Sequence, residues 1–268
     1  MQRRGMTFPP EGQVAMSASR FSSRFRILSI TATLIFPITC LAQSVSITSA
    51  KSNYTVSVQD LQISNKGKKA FAKGSALLAK GDSAGSLPFL DRAVSESPEN
   101  YKAYYDLGLA HYTLGHIAEA EQAFQKSIDI TNGTFALSQF GMGMVLCREG
   151  EFQQAETVLE RGLEREPGSA SGKYFLAWAQ YGLNRLLAAE RSLQQAIVRN
   201  ANLGEAYLLL ARIHQRQNNS PAMTQDLQTY LKLNPNGPDS EQTRRLLERI
   251  NQQMNQQSIT VIYPLFVQ

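Results

Sequence analysis

Apolar positions in the middle of the chain recur at about one helical turn or its multiples, not at two-residue alternation. In residues 136–169, Phe140, Met142 and Leu146 are followed, after Gly150, by Phe152, Leu159 and Leu163. That pattern predicts two helices joined by a tight turn. Pro167 ends the second helix, because its ring cannot continue the hydrogen-bonded ladder. The same layout then returns along the chain. Gly74, Gly108, Gly143, Ala177 and Ala211 are separated by 34, 35, 34 and 34 residues. In the same register come Leu90, Phe124, Leu159, Leu193 and Leu227, and then Pro98, Asn132, Pro167, Ala201 and Pro235. A fixed period of this size predicts a stacked array of helical hairpins rather than one closed core. The units are 67–100, 101–134, 136–169, 170–203 and 204–237.

Small residues fall where two antiparallel helices must come close. Gly143 on the first helix of its unit is expected to face Ala155 on the second. Gly141 and Gly143 each cost roughly 1 kcal/mol against Ala inside a helix, and close packing is the simplest reason to tolerate them. Residues 238–256 read as one more helix. Asp239 can cap its start with Gln242 three residues later. Leu246, Leu247, Ile250 and Met254 form its apolar face, and Arg244, Arg245, Glu248 and Arg249 largely form the other. It would shield the open side of the last unit. The flanking segments Tyr54–Val58 and Ile259–Tyr263 alternate or run apolar like short strands.

Tyr104, Leu107, Gly108, Ala120 and Phe124 form the clearest single unit, and this set of residues resembles the tetratricopeptide repeat. The resemblance runs from Gly67 to Gly237. It implies an all-α, right-handed α-solenoid of about five tetratricopeptide helix pairs plus a C-terminal capping helix. Departures occur at the ends. Lys73 stands where Leu is usual, and Met223 and Tyr230 stand where small residues are usual, so the helices of 204–237 are expected to splay. In the family, the first helix of each unit lines a concave groove. That face corresponds here to Phe71, Tyr105, Phe140 and Tyr174, then Leu109, Met144, Trp178 and Arg212, then Tyr112 and Tyr181, with Lys102, Arg148 and Arg216 nearby. Aromatic and Arg residues carry much of the energy at protein interfaces. The resemblance therefore implies a protein or peptide partner, bound in the groove as an extended or helical apolar segment, with an acidic group as an option. Aromatic residues occupy the slot where a Lys would clamp a chaperone's C-terminal carboxylate, so that specificity is not expected.

Composition is that of a folded soluble chain: 43% apolar and 18% charged. The formal charge of +5 is concentrated at the N-terminus, in Arg3, Arg4, Arg20, Arg24 and Arg26. The remainder is close to neutral, so the body offers no basic footprint for nucleic acid. Arg20, Arg24 and Arg26 precede an apolar run, Ile27–Leu41, and then Ala42. This is the layout of a secretory signal peptide. The run of about fifteen residues is shorter than the roughly 20 that span a bilayer. Residues 1–42 are thus expected to be a signal cleaved after Ala42, starting at Met1 or Met16. An uncleaved membrane anchor remains the alternative. Residues 43–66 form a polar lead-in. Of the two cysteines, Cys40 would leave with the signal, and Cys147 would stand alone without an intrachain disulfide.

No catalytic motif is present. The three histidines, His111, His116 and His214, form no metal-binding motif, and His111 and His214 occupy equivalent slots of two units. Nucleophile elbows, phosphate-cradling glycine loops and Cys-x-x-Cys pairs are missing. No enzyme, cofactor or metal is expected. The sequence instead predicts an exported scaffold, periplasmic or extracellular in a bacterial cell envelope, that binds polypeptide. Two alternatives are a signal-anchored assembly factor of a secretion or outer-membrane complex and an accessory subunit of an envelope enzyme. The apolar tail 257–268 is itself a candidate ligand for the groove or for a second copy.

Overall fold

The computed structural model describes residues 63–262, with side chains described through residue 252. The leader 1–42, the strand-like Tyr54–Val58 and tail residues 263–268 lie outside the described residues. All described residues belong to one compact unit. Among the described residues eleven helices follow one another: α1 Asn65–Ala79, α2 Ser83–Glu96, α3 Tyr101–Leu114, α4 Ile117–Thr131, α5 Ala136–Glu149, α6 Phe152–Arg165, α7 Ala170–Gly182, α8 Leu186–Arg199, α9 Gly204–Arg216, α10 Ser220–Leu233 and α11 Ser240–Ile262. They pair as α1–α2, α3–α4, α5–α6, α7–α8 and α9–α10, with α11 following the last pair. This is the expected α-solenoid of five helix pairs plus a capping helix.

Local chemistry starts and stops the helices. Side chains of Ser64, Asp82, Asn100, Ser169 and Asn219 accept hydrogen bonds from first-turn backbone N–H groups. The turn inside each pair uses one register position. Gly81, Gly115, Gly150, Asn184 and Asn218 occupy it, and all have positive φ between 57° and 85°. Gly and Asn are the residues that enter this left-handed region with least strain.

Between helices, bulky side chains fill glycine notches. The three atoms nearest a Cβ placed on Gly143 all belong to Leu159, so a leucine fills the notch at that glycine. Phe124 lies against Gly108 of its own unit and Gly141 of the next. Phe140 likewise lies against Gly162 of its own unit and Gly172 of the next. The second glycine of each set is what couples neighbouring units. Lys73, in the slot where Leu is usual, instead places its ammonium 4.0 Å over the Phe89 ring.

Two expectations about the C-terminal end change. Met223 and Tyr230 are buried between α9 and α10, and this pair packs as closely as α5 and α6, so it does not splay. Tyr230 also accepts a hydrogen bond from the Asp239 backbone at 3.3 Å, tying the pair to the start of α11. Residues 259–262, strand-like in pattern, are helical as the end of α11. Extending a helix that is already nucleated costs little, and β-branched residues pay only a modest penalty there. Thr243, Leu246 and Leu247 seat α11 on the last pair.

First helices of successive units touch one another, α1 with α3, α3 with α5, α5 with α7 and α7 with α9. Second helices do not pack together to a comparable extent. The first helices therefore form the shorter, inner side of a curved stack.

Candidate functional site

The inner side is built by one face of each first helix, so equivalent positions form rows across units. Row one holds Phe71, Tyr105, Phe140, Tyr174 and Leu208. Row two, one turn on, holds Ser75, Leu109, Met144, Trp178 and Arg212. Row three holds Leu78, Tyr112, Cys147, Tyr181 and Gln215.

The rows are not uniformly open. Tyr105, Tyr112, Phe140, Met144 and Tyr174 are buried, with Phe140 only 2% exposed. That corrects the expectation that the whole aromatic stripe is presented to a ligand. The reason is lateral packing. The Tyr105 ring meets Phe135 at 5.6 Å and Phe124 at 5.9 Å, and Phe140 fills the notch between Gly162 and Gly172. Large rings in row one reach sideways into the next unit. Phe71, Lys102, Leu109, Arg148, Trp178, Tyr181 and Arg212 are half-buried, and Arg216 is exposed. The Trp178 ring lies tilted beside Phe175, with centroids 6.5 Å apart.

Burial sets the electrostatics of the buried members. It pushes the Tyr105 and Tyr174 phenols well above their usual range, and the Tyr112 phenol up to about 12 against the opposing pull of Arg148. The Tyr105 hydroxyl finds no hydrogen-bond partner among the described residues. Burial also raises the Cys147 thiol, whose Sγ lies 3.8 Å from the Phe175 carbonyl, so it is an unreactive packing residue. Asp106 accepts a hydrogen bond from Ser75 of the preceding unit. Burial nevertheless pushes its carboxyl up to about 6.

Two guanidiniums have an arrangement that sequence reasoning missed. Arg148 of α5 lies 5.2 Å over the Tyr112 ring of α3. Arg216 of α9 lies 3.9 Å over the Tyr181 ring of α7 and donates to the Tyr181 carbonyl at 3.3 Å. In each case an Arg one residue past row three stacks on the row-three tyrosine of the unit before it. Register alone could have revealed the pairing.

The histidines serve the stack. His214 Nδ1 is 2.6 Å from Asp226 Oδ2, and its Nε2 is 3.7 Å from Glu190 Oε1, which joins the last two pairs. His111 and His116 face each other at 3.3 Å across the turn after α3. Among the described residues, no group of three or more His, Cys, Asp or Glu could hold a metal ion. No helix among them is long and apolar enough to cross a membrane.

Comparison with known proteins agrees with this architecture. Two family models described as tetratricopeptide repeat match residues 71–133 and 146–213. A thermophilic tetratricopeptide-repeat protein of Thermus thermophilus is 18% identical, with a TM-score of 0.59, covering 68% of this chain and 97% of its own. MamA, residue 41 to its end, from Desulfovibrio magneticus RS-1 is 20% identical with a TM-score of 0.53, covering 65% and 97%. A chain of the APC/C hetero-tetramer Cut9–Hcn1 is 19% identical with a TM-score of 0.62, covering 68% of this chain and 36% of its own. These likenesses establish the fold. Among curated proteins none matches the chain.

Proposed function

Because this chain is a tetratricopeptide-repeat protein, we propose that it is a non-enzymatic scaffold of the cell envelope that binds a peptide segment of a partner protein along its inner face. The observation that carries the reading is the row of accessible side chains there. Leu109, Trp178 and Tyr181 are half-buried and stand among Arg148, Arg212 and Arg216. Half-buried aromatic and Arg side chains lose little rotamer freedom on binding and supply much of the energy at interfaces. The buried rings beneath them hold the face rigid, which lowers the ordering cost further. Export is supported by the basic, apolar and small-residue order of residues 20–42. With the leader removed after Ala42, the scaffold is soluble in the periplasm or outside the cell.

Affinity capture from a periplasmic extract tests this. Tyr105, Phe140 and Tyr174 are core residues, so Trp178 is the residue to change. The wild-type chain should retain a specific polypeptide, and Trp178→Ala should lose it with helix content unchanged. An identical catch from both chains would remove the inner face as the binding surface.

A further inference from the structure

The two Arg-over-Tyr stacks say what chemistry the partner carries, given that the inner face is the binding surface. Arg148 and Arg216 occupy the same register two units apart, each held against the tyrosine of the preceding unit. A ring beside a guanidinium restrains it, and Arg216 uses one of its five N–H donors on the Tyr181 carbonyl, which leaves donors of each Arg for a carboxylate. Neither Arg makes an ion pair with an acidic side chain among the described residues, whereas Arg185 is paired with Glu156 at 2.6 Å. Between the two stacks, in unit 136–169 and its successor, the equivalent positions are Cys147 and Gly182, so no third stack forms.

We infer that Arg148 and Arg216 are paired acid receptors for an extended peptide of the partner that carries two carboxylate side chains flanking an apolar stretch. The spacing follows from the stack. Neighbouring first helices lie roughly 8–10 Å apart, so two steps separate the receptors by roughly 16–20 Å. An extended chain advances about 3.3 Å per residue, which places the two acids about five or six residues apart. The intervening residues lie over α7, where the half-buried Trp178 favours apolar character between the acids.

Panning a random twelve-residue peptide library on the full chain tests the inference separately from the reading beneath it. The enriched peptides should carry Asp or Glu pairs five or six residues apart. Arg148→Gln and Arg216→Gln should each weaken a selected peptide about tenfold, in line with loss of one interface anchor, and 0.5 M salt should weaken it further. Arg148→Lys, which keeps the charge and loses the forked guanidinium, should recover only part. Circular dichroism reports whether each variant folds, and Arg216, being exposed, is the safer of the two. Enriched peptides without acid pairs, but lost on Trp178→Ala, would overturn the acid receptors and leave the inner face as the binding surface. Absence of enrichment, or peptides indifferent to Trp178→Ala, would overturn both.

Discussion

At the scale of single residues, the turn slot shows how a period can be read more closely than a motif. Gly81, Gly115 and Gly150 announce their turns directly, but Asn184 and Asn218 are found only by counting along the repeat. A Cβ on Gly150 would meet nothing within 4 Å, so only backbone strain opposes a side chain there. Gly150→Ala should therefore destabilise by about 1–2 kcal/mol, and Gly150→Asn by clearly less, in urea or thermal unfolding. Asp106 gives a second residue-scale prediction. Its carboxyl is raised to about 6 from the usual 3.8, so the fold favours the protonated form. That contribution is complete below about pH 4 and is lost as the pH rises through 6. Asp106→Asn keeps an oxygen for Ser75 and should raise the melting temperature at pH 7.5 by about 2–4 °C. The gain should vanish near pH 4. The acid itself is visible in the sequence, but its burial against Ser75 depends on how two units meet.

At the scale of elements, helices are legible and their neighbours less so. Spacing of apolar residues, Pro167 and the caps mark each pair without reference to anything distant in the chain. Which side of a helix stays open is decided between units. Phe140 reads as a groove residue until Gly162 and Gly172 are seen to accept its ring, and those glycines carry no label of that use. The end of α11 departs from its pattern for a related reason, since the strand-like alternation of 259–262 yields to a helix already begun at Ser240. What anchors α11 is its first turns. Leu246→Ala should cost about 2–4 kcal/mol locally. Hydrogen exchange should show the loss in α10 and α11 while α5 and α7 keep their protection, because in such stacks each unit is stabilised by its neighbours.

At the scale of the whole molecule, the repeat accounts for stability and for the proposed binding face together. Each pair covers the next, so no single core is needed, and the only described cysteine, Cys147, is a packing residue rather than a cross-link. Packing the first helices against one another makes them the inner side, and it gathers the accessible aromatic and Arg side chains of successive units into one surface. The second helices present a different face, on which Val198 is 84% exposed and belongs to no row of aromatics. A photo-reactive amino acid placed in turn at Trp178 and at Val198, followed by irradiation in intact cells, tests the account most directly. A discrete cross-linked polypeptide is predicted from position 178 and none from position 198. Cross-linking from 198 alone, or equally from both, would contradict it.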